Sequence, residues 1–132
     1  MDRNTARNDG KLFAVPMAAG EVIGGGLLVV TDDKGLAHEG QVKGGWRVIG
    51  LSDEAADNSA GQDGEVSVMV RRCEAFYFDN DTADPVTQVK VGQRCHLKNA
   101  YTVTASPPGG LSVEVGRVLT VSPDDGVQVL IE

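Results

Sequence analysis

The sequence predicts an all-β protein, an antiparallel β-sandwich or barrel of the jelly-roll type, pseudo-duplicated and preceded by an extended N-terminal arm. Valine is much commoner than leucine, a bias that favours strands. The chain has 17 glycines in 132 residues, which suits many short strands joined by tight turns. Apolar runs recur roughly every 8–12 residues, as in sandwiches and barrels rather than parallel sheets with helical crossovers.

Each predicted strand is a short apolar run bounded by Gly, Pro, Asp or Asn. In chain order these runs are residues 11–15, 27–31, 46–51, 65–70, 74–78, 94–98, 101–105, 111–115, 117–121 and 127–131. Turn residues separate them at 24–26, 32–35, 44–45, 107–110 and 123–126. Helical periodicity is nearly absent. The best helical segment, residues 53–60 with Asp53 as its cap, predicts one turn at most.

The chain repeats one sequence pattern. Residues 46–70 and 116–132 both open with Arg-Val-(Ile or Leu), pass through Ser and two acidic residues, and close with Asp-Gly and a valine run. The alignment places Arg47 opposite Arg117. The shared order of turns predicts an internal duplication more strongly than the valines do.

The repeat sets the predicted domain organisation. Residues 1–10 form a polar arm, and residues 11–132 form one β domain built from half-repeats 11–70 and 74–131. One half alone buries little apolar surface, so we expect the two halves to pack around a common core.

Composition excludes several classes of partner. A net charge of −7 argues against nucleic-acid binding, which needs a basic surface. No apolar run approaches the ~18 residues of a membrane span. The polar start, MDRNTARNDG, lacks the apolar core of a signal peptide, so we expect a cytoplasmic protein with reduced cysteines. Whether Cys73 and Cys95 pair nevertheless stays open.

No metal, cofactor or phosphate site is predicted. Cys95 and His96 are adjacent on one strand and point to opposite faces, so they cannot easily bind one ion. Residues 79–84, DNDTAD, start like a calcium loop but lack the Gly and the acidic residue that complete one. The glycines of residues 20–26 lack the Lys-Ser/Thr of a phosphate loop.

No catalytic residues are predicted, and we expect a protein that is not an enzyme. His38 and His96 are the only histidines, and no nucleophile motif accompanies them. The acidic pairs lie in predicted turns, where adjacent carboxylates do not face each other across a cleft. A small hydrolase would need both histidines in one pocket.

The N-terminal 26 residues are the predicted contact region. The polar arm has no apolar content with which to fold alone, so it is either disordered or ordered by a neighbour. Residues 15–26 are rich in small residues and would expose their apolar side chains unless something covers them. The predicted contact residues are Arg3, Arg7, Phe13, Met17 and Ile23.

Glycine-bounded valine strands follow a recognisable order along the chain. They are GGLLVV (25–30), WRVIGLS (46–52) with EVSVMV (65–70), VGQRCHLKNAYTVTA (91–105), VGRVL (115–119) and DGVQVLI (125–131). With them the chain resembles, over residues 20–132, the head decoration or cement proteins of tailed bacteriophages. Residues 73–76, Cys-Glu-Ala-Phe, match the family's central Gly-Val-Phe-like strand only in part.

The resemblance implies a non-enzymatic virion protein made in the bacterial host cytoplasm. It would bind the outside of the capsid and cement neighbouring major capsid protein subunits against internal DNA pressure. Its partners would be the major capsid protein and itself, as a dimer or trimer, with no nucleic acid and no membrane. The oligomeric state and the position on the capsid do not follow from these residues.

Two other functions remain open. One is a small-ligand or glycan-binding β module, for which Trp46, Tyr77 and Tyr101 are the available aromatic platform. The other is a different virion component, of the tail or baseplate.

Overall fold

The computed structural model describes residues 1–132 and confirms the predicted all-β fold class. Its strands are β1 (Leu12–Pro16), β2 (Val22–Ile23), β3 (Leu28–Thr31), β4 (Ala37–Glu39), β5 (Arg47–Ser52), β6 (Ala56–Asp57), β7 (Ser67–Arg71), β8 (Glu74–Asn80), β9 (Arg94–Asn99), β10 (Thr102–Thr104), β11 (Glu114–Ser122) and β12 (Gly126–Ile131). Two single-turn 3₁₀ helices, Gln88–Lys90 and Pro108–Gly110, complete it. Neither helix is long or apolar enough to cross a membrane.

The strands differ from the predicted ones in three ways. Residues 111–115 and 117–121 are predicted as two strands, but the structure has one strand there. This strand, β11, begins at Glu114 and continues through a bulge at Gly116. The short strands β2, β4 and β6 have two or three residues each, too few to show alternation. Residues 53–60 hold β6 and a turn instead of a helical turn.

The first half of the chain forms an open five-stranded antiparallel sheet, ordered β1-β7-β5-β3-β4. Its two edges approach each other at one point, where Met17 bridges Ala37 in parallel. A separate ribbon pairs β2 with β6. We call the five strands the open sheet.

The second half forms a closed barrel, ordered β10-β8-β12-β11-β9. All its pairs are antiparallel except β8 with β10, where Thr102 lies opposite Asp79 and Val103 opposite Asn80. The amide of Asp79 donates to the Tyr101 carbonyl at 2.9 Å and helps close the barrel.

The two halves share one strand order. Without the ribbon strands β2 and β6, each half has five strands. In both halves their order across the sheet is first, fifth, fourth, second, third. Gly50 faces Val29 next to a register shift, as Gly116 faces Cys95. Gly50 therefore corresponds to Gly116, and the predicted alignment of Arg47 with Arg117 is wrong by four residues. Valine-rich strands resemble one another in more than one register, so the residue pattern alone favours the wrong one.

Strand β3 joins the two halves. Val29 points into the cluster of seven buried residues inside the open sheet. Its neighbours Leu28 and Val30 point the other way, into the cluster of thirteen buried residues that fills the barrel. Val48 and Leu51 of β5 pack there too. One face of the open sheet is thus covered by the barrel, because residues alternate between the faces of a strand.

Candidate interaction surface

The N-terminal arm lies outside the folded body. Residues 1–9 form no strand, and each of them is exposed. Within the arm the Asn8 carboxamide oxygen accepts from the Gly10 amide at 2.8 Å, and the Asp9 carboxylate accepts from Lys11 at 3.1 Å. Arg3 and Arg7 make no hydrogen bond or ion pair, so both guanidinium groups are free to bind another molecule.

Arg72 anchors the arm to the body. Its Nε donates to the Gly10 carbonyl at 2.9 Å, and its guanidinium lies 5.6 Å from the centre of the Phe13 ring. Phe13 is half-buried against the core of the open sheet. Sequence reasoning missed Arg72, because its contact with residues 10–13 depends on the antiparallel pairing of β1 with β7 and on no local motif.

Strand β1 is an edge strand. Lys11 accepts from the Arg72 amide, and the Met17 amide donates to Val66, both at 2.9 Å, so the odd-numbered residues of β1 face β7. Leu12 and Ala14 therefore turn their amides and carbonyls outward. Both side chains are also exposed. The arm leads directly into this unpaired edge.

The expectation that Met17 and Ile23 are exposed is wrong. Both are fully buried in the core of the open sheet. Met17 exchanges hydrogen bonds with its neighbours, since its carbonyl accepts from the Gly64 amide at 2.8 Å. Ile23 pairs with Ala56 in the ribbon of β2 and β6. The chain's own strands cover this segment, so no partner is needed to do so.

An acidic concavity of about 820 Å³ opens at one end of the barrel. It lies between the turn of residues 79–87 and the β11–β12 hairpin, and its lining includes Asp79, Asp81, Asp124 and Asp125. The Asp81 carboxylate is buried and accepts from the Ala83 amide at 3.1 Å and the Thr104 hydroxyl at 2.9 Å. These bonds lower the pKa of Asp81 below its ordinary 3.8, although burial opposes them.

The DNDTAD segment is a hydrogen-bonded turn. The Asn80 side chain accepts from the Val86 amide and donates to the Val86 carbonyl, both at 2.8 Å. Together with the bond from the Ala83 amide to Asp81, these contacts show that Asn80 and Asp81 stabilise the turn itself. Across the whole chain, no three His, Cys, Asp or Glu side chains are placed to hold a metal ion.

His38 lies among acidic and aromatic groups of the open sheet. Its Nε2 is 2.8 Å from Asp32 Oδ2, its Nδ1 is 3.5 Å from Glu21 Oε2, and the Trp46 ring lies 4.4 Å from its ring. Burial, the largest influence, raises the pKa of Asp32, but hydrogen bonds from His38 and from backbone amides of its turn outweigh it and lower that pKa.

The two histidines do not share a site. His38 lies on β4 of the open sheet, whereas His96 lies on β9 of the barrel with Ser112 Oγ 3.4 Å from its Nδ1. The two cysteines are also apart: both are free thiols, Cys73 exposed and Cys95 buried. Burial raises the pKa of Cys95 to about 11.

The aromatic residues divide between core and surface. Trp46 packs against the barrel core, whereas Tyr77 and Tyr101 are 57% and 55% exposed. Tyr77 lies two residues before Asp79 on β8, and the Tyr101 carbonyl bonds the Asp79 amide. Both tyrosines therefore stand next to the acidic concavity.

No protein-family model, curated protein or solved structure matches this chain.

Proposed function

We propose that this protein is a non-enzymatic structural component of a phage virion that binds the capsid exterior. It cements neighbouring major capsid protein subunits against internal DNA pressure, and it does so as a homo-oligomer. The observation that carries the proposal is the exposed arm, residues 1–9, which leads into the unpaired edge of β1.

The arm suits a contact that orders on binding. It makes no apolar contact with its own body, so it loses conformational freedom only when a partner holds it. Arg3 and Arg7 can then form charge-assisted hydrogen bonds with carboxylates of the coat. The rest of the chain stays rigid, because each of its long strands is paired.

The β1 edge suits strand addition. An extended segment of a coat subunit can bond the outward amides and carbonyls of Leu12 and Ala14. Pro16 ends the edge, since it has no amide to donate. Arm and edge together would let one molecule reach two adjacent subunits, and several copies would multiply modest contacts.

Binding to empty heads tests the arm. We expect deletion of residues 1–9, or R3E/R7E, to weaken binding at least about tenfold. K34E/R47E is the matched control: it makes the same change in charge at two exposed residues, one in the β3–β4 turn and one on β5, and it should bind like wild type. Unchanged binding by both arm variants, measured by co-sedimentation, would contradict the arm's role.

A14P tests the edge. Proline removes only the outward amide of Ala14, which β7 does not use, and edge strands tolerate proline. We expect an intact fold by circular dichroism and weaker binding to heads. Full binding by a folded A14P would exclude strand addition at β1.

One observation favours a second function, the binding of glycans. Tyr77 on β8 and Tyr101 in the turn before β10 are exposed beside a concavity lined by hydroxyls and carboxylates. Sugars stack on such rings and hydrogen-bond to such polar groups. A glycan array probed with wild type and Y77A/Y101A tests it: signals that vanish in the variant support this function, and an array without signals refutes it for the glycans displayed.

A further inference from the structure

The outer face of the barrel at strands β9 and β11 carries more positive than negative charge. Arg94 lies directly opposite Arg117, and His96 lies opposite Glu114. Arg94 Nε is 3.8 Å from Glu114 Oε2, at an exposed position where such a pair is weak. Arg117 is exposed and makes no hydrogen bond or ion pair. We call these four residues the β9–β11 face.

Arg94 and Arg117 repel each other across the two strands. Like charges directly opposite each other on neighbouring strands are destabilising. Exposed apolar side chains lie next to the pair: Val89 is 80% exposed, and Val91 and Leu119 are 36% and 37% exposed. Bonds of 2.8 and 2.9 Å between residues 92–93 and Val118 hold the two segments together. Arginine beside exposed apolar residues is typical of protein interfaces.

The same face of the open sheet is already an interface. By the shared strand order, the β9–β11 face corresponds to residues of β3 and β5, namely Leu28, Val30, Val48 and Leu51. Those residues pack onto the barrel within the chain. In the open sheet this face packs on the barrel, whereas in the barrel the corresponding face is exposed and charged.

From this geometry we infer that the β9–β11 face docks on the acidic concavity of a second copy of this chain. Charge complementarity identifies the occupant. Asp79, Asp124 and Asp125 are exposed around the concavity, and their carboxylates make no hydrogen bond or ion pair. The face presents two arginines to them, although the chain as a whole has a net charge of −7.

The contact is head-to-tail, since it joins two different surfaces. Such a contact closes into a ring when its rotation allows and otherwise grows as an open chain. The inference rests on the proposed homo-oligomer and names the surfaces through which it forms. Because the contact is between exposed charges, it weakens as salt rises.

Light scattering on the purified full-length chain tests the contact. We expect wild type to self-associate at low salt, and both R94E/R117E and D124K/D125K to be monomeric, at least about tenfold weaker in self-association. An equimolar mixture of the two variants should associate again, since the reversed face then meets the reversed concavity. K34E/R47E, with the same change in charge as R94E/R117E, should behave as wild type.

The possible failures are distinguishable. A wild type that stays monomeric at low salt overturns both this contact and the homo-oligomer. A wild type that associates equally well with R94E/R117E overturns this contact alone. Head binding is measured separately, so capsid attachment by a monomeric wild type would leave the capsid function standing and refute the self-contact.

Discussion

At the scale of single residues, two glycines shape the strands. A methyl group at Gly116 would clash with the Leu130 carbonyl oxygen, and one at Gly50 would stand 2.5 Å from that of Arg71. Gly50 also has a φ of +153°, which other residues rarely adopt. Only glycine lets each strand pass so close to its neighbour at the bulge. The sequence shows both glycines but not that they correspond.

G116A should destabilise the fold. The added methyl group meets backbone, which cannot move aside without breaking strand pairing, so we expect a loss of about 3 kcal/mol in the free energy of unfolding. G44A is the control, because its methyl group would meet only Leu111 at an ordinary 3.5 Å. Urea unfolding measures both. Equal stability of G116A and wild type would mean that the strands pass farther apart.

Asp81 should make stability depend on pH. Its folded pKa lies below the ordinary 3.8, so its contribution is present above that value and is lost as the pH falls through the folded pKa. T104V removes the hydroxyl that bonds the carboxylate, so the pKa of Asp81 should rise and the loss of stability in acid should shrink. Carboxyl NMR titration, with T102V as control, checks this. An unchanged Asp81 titration in T104V would contradict the hydrogen bond.

At the scale of elements, predictability follows length and alternation. The strands β5, β8 and β12 have six or seven residues each and could be predicted, and burial alternates along the whole of β12 and the second half of β8. The two- and three-residue strands could not, because their pairing depends on tertiary contacts. Met17 and Ile23 show the consequence at the candidate site. Their segment is rich in small residues and has no regular pattern, so the sequence predicts that it is exposed. In the structure β6 and residues 64–66 bury it. The exposure of the arm could be predicted, because a segment this polar cannot form part of a hydrophobic core.

Deleting the arm should leave stability unchanged. The hydrogen bonds of residues 1–9 reach no farther than the amides of Gly10 and Lys11. We expect the free energy of unfolding to change by less than about 0.5 kcal/mol. Thermal or urea unfolding of the truncated chain measures it. A larger loss would show that the arm packs on the body, and it would weaken the case for a free binding segment.

At the scale of the whole molecule, the two halves share part of their core, and we expect them to unfold as one cooperative unit. Leu28 belongs to the open sheet but is fully buried in the barrel's cluster. Unfolding of the open sheet would therefore expose the barrel core. A rigid body of this kind can transmit force between the molecules that bind to its surfaces. The repeat in the sequence indicated two packed halves, but not which strand faces join them.

L28A should weaken both halves together. Removing a buried leucine side chain costs about 3 kcal/mol, and the cavity lies where the halves meet. Hydrogen exchange should then show equal losses of protection in β7 and β12. L119A, at an exposed position, should leave both unchanged. Loss of protection in β7 alone would show that the halves unfold separately.

Quantitative mass spectrometry of purified virions tests the central proposal most directly. A protein that cements the capsid must be present at a fixed simple ratio to the major capsid protein and must be lost when the head surface is stripped. That is the result we expect. Absence from the virion, or a handful of copies that purify with tails, would contradict the proposed function.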